Sequence, residues 1–384
     1  MISKKRIGII GAGASGIACA LFLKENLVDT EVIIFEKNDR IAKKILKTGN
    51  GKCNLSNINL DSTYYYSDFV EYSLNHFTNK QCAQFFRRIG IWTKYDEEGR
   101  MYPYSEKANT VVDGFLHALN EKNVSYQTDY YVNHIKLADR FLVYSDRYQV
   151  ENVDFLVFAM GSAASEKEEC NYSLLTDMGH TFDTINPGLT SFITSTNTKP
   201  LAGIRIKAKV KLLKNNMLIQ EAVGEVLFKD QGLSGIAIMD LSNYYEKDSY
   251  VELDIAYDQE EEELMEFLSH DLENRVFGLF PKMIAMDILK RTATKNLAEV
   301  IYQIHHYRFN ILHVAGIQQA QIVVGGLKKD EINPYTMESN KITNVYVIGE
   351  LLGVGGRCGG YNLHFAWASG FVAAQDIIHK IKGE

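Results

Sequence analysis

The 384-residue chain has no closely spaced cysteine pair. Its five cysteines (Cys19, Cys53, Cys82, Cys170 and Cys358) are odd in number and scattered without a CxxC. That argues against a disulfide framework and fits a reducing, cytoplasmic compartment. Positive charge is not in excess either: 41 Lys and Arg against 48 Asp and Glu give a net charge of −7. No general basic face is therefore expected, and no nucleic-acid partner. No uninterrupted apolar run is long enough to cross a bilayer, so no membrane association is expected. "MISKKR" followed by "IGIIGAGASGIACALFL" imitates a secretory signal, but Gly11, Gly13 and Gly16 break the apolar body. A strand, a turn and a helix account for it better. There is no GxSxG elbow, and His305 and His306 are adjacent, so they would face apart on a helix; no metal site is expected. What remains is an ordinary globular composition, 46% hydrophobic and 23% charged, long enough for two or three domains.

The first informative stretch is "RIGIIGAGASGIACALFLKEN". It reads as a buried strand from Ile7 to Ile10, a glycine turn, and a helix running to about Asn26. Gly11, Gly13 and Gly16 match GxGxxG. Gly11 permits the tight turn, Gly13 lets the backbone approach a pyrophosphate, and Gly16 seats the helix close on the strand. With Ala14 and Ser15 between them, the first N–H groups of the helix and its positive dipole end face the phosphates. A second strand, "TEVIIFEK", ends in Glu36, 20 residues after Gly16. An acid there can accept hydrogen bonds from an adenosine ribose and disfavours a 2′-phosphate, although Lys37 is its neighbour. Together these features predict a dinucleotide site.

The far end of the chain indicates which dinucleotide. "ITNVYVIGELLGVGGRCGGYNLHFAWASGFVAAQDIIHKIK" holds an apolar strand, Val345 to Ile348, followed by Gly349 and Glu350. It resembles the T-x-x-x-x-Y/F-A-x-G-D segment of two-dinucleotide-binding-domain flavoproteins, in which an acid binds the ribityl chain of FAD. Thr343, Gly349 and Glu350 fall in the matching places, with Glu for the usual Asp. "DFLVFAMGS" resembles their ATG segment at Ala159, Met160 and Gly161, with Met for Thr. A helix from about Asn362 follows Gly360 and Tyr361, and its small residues suit close packing. Its N-terminus can face the N1–C2=O edge of a flavin, where reduction places negative charge.

Taken together, these motifs resemble those of the bacterial flavoproteins of the aminoacetone oxidase/BaiN-like type, over most of the chain. "KKILKTGNGKCNLSN" is similar to the family's K-x-L-x-S-G-x-G-R-C-N-x-T-N, with Lys52 for Arg and Ser56 for Thr. "GRMYPYSEKANTVVD" and "GEVLFKDQGLSGIAIMDLS" are also similar to family segments. The resemblance implies FAD as cofactor and an FAD-dependent oxidoreductase moving a hydride between flavin N5 and a small organic substrate. NAD(P)H would be a transient donor. An amine oxidase using O2 and a redox sensor without its own substrate stay open. It also implies that the polar loop wraps the cofactor: Gly49 and Gly51 for close backbone approach, Asn54 as donor and acceptor, Lys43 and Lys44 against pyrophosphate charge. Val132 joins the cofactor-binding set. Arg357, Tyr361 and His364 are candidate catalytic side chains, with Asn362 beside them.

The fold class expected is α/β: a Rossmann-like FAD-binding domain with an inserted β-rich, barrel-like domain and a small helical domain. The boundaries read as 1–188 for the first part of the FAD-binding domain, 189–258 for the β-rich insert, 259–312 for a helical cap and 313–384 for the last part. Only one complete glycine motif is present, since "VVGGLKKDEI" lacks the spacing. NAD(P)H is therefore expected to share the substrate's cavity.

Overall fold

The apolar run Arg6–Ile10 becomes β1, the middle strand of a five-stranded sheet. In this computed structural model, which describes residues 4–164, 170–294 and 296–383, β2 is Glu31–Phe35, β3 Ser125–Gln127, β4 Phe155–Phe158 and β5 Val345–Val347. Their order is β5-β4-β1-β2-β3, and every pairing is parallel. Parallel sheets are covered on both faces, so their strands read as continuous apolar runs; β4 and β5 are buried throughout.

Helix α1 (Ala14–Asn26) joins β1 to β2 and is buried on all sides from Ser15 to Leu23. The long final helix, α2 (Tyr361–Lys382), packs directly on it. Their closeness depends on Gly370, where a Cβ would lie 2.8 Å from the Ser15 carbonyl oxygen and 3.2 Å from the Cys19 nitrogen. On another side of α2, the fully buried Trp367 donates its indole N–H to the Leu55 carbonyl at 2.9 Å. Three short strands, Ser56–Asn57, Arg100–Pro103 and Thr93–Tyr95, form a small antiparallel sheet. All of this lies in one unit, built from Met1–Asn186 and Val323–Glu384.

The second unit is Pro187–Ile322. Six antiparallel strands close into a barrel in the order Phe192–Thr194, Gly232–Ser234, Met217–Lys229, Arg205–Lys214, Tyr250–Asp254 and Tyr307–Val314. Along Arg205–Lys214 the period of two is plain: Ala208, Val210 and Leu212 are buried, while Lys207, Lys209 and Lys211 point the other way. The helices Glu261–Ser269, Leu272–Leu279, Lys282–Arg291 and Leu297–His305 add Leu268, Val276, Ile284 and Ile304 to the same hydrophobic cluster as the barrel's Val251 and Leu253. The closing strand Tyr307–Val314 runs across position 312, where the sequence ends its helical segment. The architecture is the α/β fold with inserted barrel and helices that the sequence predicts. Among the described residues no helix is long and apolar enough to cross a membrane.

Gly370→Val should force α1 and α2 apart. Overpacking of this kind costs about 1–3 kcal/mol, so the variant should melt several degrees below the parent. An unchanged melting temperature would show that the helix contact is slack.

Candidate cofactor site

The glycine turn is tight at two positions and open at the third. Gly11 has φ +108°, and a Cβ there would lie 2.4 Å from the Ala159 carbonyl oxygen. A Cβ on Gly16 would lie 2.1 Å from the Gly11 carbonyl oxygen. Gly13 has nothing within 4 Å of a Cβ position, so its backbone is approachable. α1 begins there with no side-chain cap and no acid in its first turn, which leaves its first N–H groups available for an anion.

Glu36 lies just past β2 and is 6% exposed. One carboxylate oxygen accepts the Ala12 N–H at 2.7 Å. The other accepts the backbone and side-chain N–H groups of Asn38 at 2.8 and 2.6 Å. A carboxylate has about four acceptor positions, so a ligand hydroxyl still has a place. Lys37 acts electrostatically on the Cys170 thiol, and the Val132 carbonyl accepts from Asn171 at 3.2 Å. Val132 thus bonds to Asn171, while Lys37 is only within electrostatic reach of Cys170.

A second group gathers where the β4 and β5 ends approach α1. Lys44 Nζ donates to Glu350 Oε2 at 2.8 Å and to Ser162 Oγ at 3.4 Å. Gly161 has φ +69° and open space around its Cβ position. Gly349 has φ +71°, and a Cβ there would lie 2.5 Å from Ser15 Oγ. Lys43 turns elsewhere, to Asn38 and Asp39.

The loop Thr48–Asn54 is unusually left-handed: Gly49, Asn50, Gly51 and Cys53 have φ of +55°, +54°, +81° and +60°. For non-glycine residues that region is disfavoured, and such strain concentrates at ligand sites. Burial pushes the Cys53 thiol up to about 12, so it stays protonated. Asn54 Oδ1 is buried and has no hydrogen-bond partner among the described residues. A Cβ on Gly360 would come within 2.5 Å of it. Gly360 is the N-cap of α2, a helix that also starts without a side-chain cap or an acid in its first turn. An unfilled acceptor therefore adjoins the positive end of a helix that has no side-chain cap. A planar edge carrying one N–H donor and carbonyl acceptors would satisfy both, which is the chemistry of a flavin's pyrimidine edge.

The remaining candidates differ in availability. Asn362 braces its own turn, accepting from Gly356 N at 2.8 Å and donating to Gly356 O at 2.9 Å. Tyr361 accepts the Tyr65 hydroxyl on its carbonyl at 2.8 Å and stacks on Tyr64 at 5.0 Å. Arg357 donates its backbone N–H to the Tyr64 carbonyl at 2.9 Å, and its guanidinium lies 5.5 Å above the Tyr64 ring. His364 is fully buried with both ring nitrogens engaged. The Phe77 carbonyl, 2.8 Å from Nε2, can only accept, so Nε2 carries the hydrogen. Nδ1 accepts from the Ser56 hydroxyl at 2.8 Å, and Ser56 in turn accepts from Asn79 at 3.1 Å. Burial pushes the His364 pKa down to about 4. It pins α2 to two distant segments. Sequence reading did not single out Asn38, Tyr64 or Asn79 and named Ser56 only as a motif position; Asn38, two residues past Glu36, had a local signal.

The fold and this constellation define a flavin-dependent oxidoreductase built on a dinucleotide-binding sheet. Residues 5–376 match the family described as the HI0933-like protein Rossmann domain, and the chain belongs to that family. It is 30% identical over 402 residues to a 3-dehydro-bile acid delta(4,6)-reductase of Clostridium scindens, covering 96% of this chain and 98% of that one. It is 26% identical over 397 residues to a ribosomal RNA dihydrouridine synthase of Haemophilus influenzae, covering 96% and 97%. Among solved structures, a 3-ketosteroid delta1-dehydrogenase from Sterolibacterium denitrificans shares the fold, with a TM-score of 0.52 at 12% identity over 97% of this chain and 99% of that one.

The state of His364 makes stability depend on pH. Its folded pKa of about 4 lies below the ordinary 6.5. The unfolded chain therefore binds the additional proton in that window. Stability from this group is complete above pH 6.5 and lost as the pH falls toward 4, by about 3 kcal/mol. Urea unfolding of the His364→Gln variant should show a shallower loss between these pH values than the parent. Parallel curves would mean that His364 titrates freely.

Proposed function

We propose that the protein binds FAD in this site and uses it to saturate a carbon–carbon double bond conjugated to a carbonyl group. The unfilled Asn54 acceptor against the uncapped start of α2 carries the cofactor assignment. Glu36 would hold the adenosine ribose, the Gly11–Gly16 turn and the first N–H groups of α1 the pyrophosphate, and Glu350 with Lys44 the ribityl end. Asn54 and the α2 N-terminus would hold the pyrimidine edge. When bound, FAD supplies hydride chemistry at its N5 position.

The activities of two relatives support the substrate class. A delta(4,6) bond in a 3-oxo steroid and the ring double bond lost when uridine becomes dihydrouridine are both conjugated to a carbonyl. Arg357 offers the matching protein chemistry. No carboxylate meets its guanidinium among the described residues, and the hydroxyl of Tyr64 beneath it has no hydrogen-bond partner there. Both can donate to a carbonyl oxygen and draw electron density from the conjugated bond as negative charge develops. A single glycine motif leaves NAD(P)H to deliver its hydride from the cavity that later receives the substrate.

The test is anaerobic mixing. NADH or NADPH should bleach the bound flavin, and an α,β-unsaturated ketone should restore its colour while yielding the saturated product. Bleaching only by amines, with colour restored only by O2, would overturn this reading in favour of an amine oxidase. Glu36→Ala should weaken FAD binding by roughly ten- to a hundredfold, as expected for a charge-assisted hydrogen bond; equilibrium dialysis of the flavin measures it. Arg357→Met should retain FAD yet weaken binding of an unreactive ketone analogue, read from the flavin absorbance shift. Equal ketone affinity would remove Arg357 from the site.

A further inference from the structure

A cavity of about 380 Å³ lies on the outer face of the barrel, wholly within Pro187–Ile322. No aliphatic side chain lines it. Thr196, Gln303 and Asn310 supply neutral polar groups, and Glu252, His306 and Arg308 supply ionisable ones. The closing strand Tyr307–Val314 explains this lining. Its Tyr307 and Phe309 are buried in the core, while the alternate residues Arg308 and Asn310 point outward.

Glu252 and Arg308 are directly opposed on neighbouring antiparallel strands. Opposed side chains share a face and lie close enough to pair. Here they do not. Glu252 leans toward His306, whose Nδ1 donates to Oε1 at 2.8 Å. Arg308 leans the other way along the ladder. Its guanidinium lies 3.5 Å from the Tyr250 ring centroid, and its Nε donates to Asn310 Oδ1 at 3.3 Å. Stacking engages one face of a guanidinium and leaves its in-plane N–H groups able to donate. Among the described residues no carboxylate meets Arg308, and Glu252 Oε2 has no partner. Arg291 also lines the cavity, but Asp287 at 2.7 Å and the Arg308 carbonyl at 2.8 Å already hold it. One cation and one anion are thus kept apart, both facing the same polar space.

We propose that this cavity binds the zwitterion of a small or polar α-amino acid, its carboxylate on the in-plane N–H groups of Arg308 and its ammonium on Glu252 Oε2. A carboxylate and an ammonium on one carbon, each making a charge-assisted hydrogen bond of about 2.8 Å, span about 7 Å, one repeat of the pleat. The ammonium also gains from the last turn of helix Leu297–His305, which brings Tyr302 and Gln303 to the cavity. A helix C-terminus carries partial negative charge. A plain anion would meet that end and Glu252 unfavourably, and a plain cation would meet Arg308. An apolar side chain would find no aliphatic wall. Every residue used lies in Pro187–Ile322, so the binding chemistry is independent of the reaction proposed above.

Isothermal titration calorimetry on the full-length, flavin-loaded protein tests this with L-serine and L-glutamine. Serinamide, N-acetylserine and acetate serve as probes that each lack one of the two charges. The amino acids should bind at millimolar concentration, and the three probes should bind more weakly by roughly tenfold or more. Arg308→Met and Glu252→Gln should each lower amino-acid affinity by roughly ten- to a hundredfold. Arg308→Lys should recover only part of the loss, because an ammonium lacks the planar fork that matches a carboxylate. The flavin should keep its colour throughout. The probe series uses the unaltered protein, so it decides the question even where a variant fails to fold. Absence of heat with both amino acids would overturn the proposal. So would acetate or serinamide binding as tightly as serine, or affinities indifferent to both Arg308→Met and Glu252→Gln.

Discussion

One buried carboxylate ties the nucleotide end of the first unit together. Glu36 accepts three N–H groups, one from the glycine turn at Ala12 and two from Asn38 beyond β2. A buried carboxylate without such partners would be strongly unfavourable. Here it fixes the spacing between the turn after β1 and the loop after β2. The turn in turn sets where α1 starts, because Gly11 and Gly16 admit no side chain. α2 is then placed against α1 through Gly370. Groups from distant parts of the chain are positioned from this joint outward.

Much of this was readable from local signals. The strand, glycines, helix and distal acid at the N-terminal end occupy one short window, and each has a steric or electrostatic reason visible in residue type. The barrel was readable because Ala208, Val210 and Leu212 alternate with lysines. The shared core of barrel and helices was not, since contacts such as Ile304 with the barrel cluster arise only on packing. His364 shows the same limit. Its place near the flavin-like segment suggests a chemical group, yet its partners Phe77 and Ser56 lie 287 and 308 residues away. No periodicity reports such a pairing. The polar loop at Thr48–Asn54 was legible as permissive backbone, but the unfilled acceptor of Asn54 was not.

The two uncapped helix starts deserve comparison because their surroundings differ. α1 begins beside Gly13, where the space is open, and suits a group with several anionic oxygens. α2 begins against Asn54, where an additional acceptor demands a donor as well. Helix ends alone attract any anion; at α2 the neighbouring side chain adds an acceptor that an anion alone would not satisfy.

The arrangement of the sheet also governs how the protein comes into being. Pro187–Ile322 is one continuous stretch, whereas the first unit needs residues from Val323 onward. During synthesis the barrel has its entire sequence before the sheet has β5 or the covering helix α2. Until then β4, wholly apolar, presents an unpaired edge that invites pairing with other chains. The face of α1 beneath Gly370 is bare over the same interval. Chains interrupted before Val345 would therefore carry the whole barrel sequence attached to a four-stranded sheet with an open apolar edge.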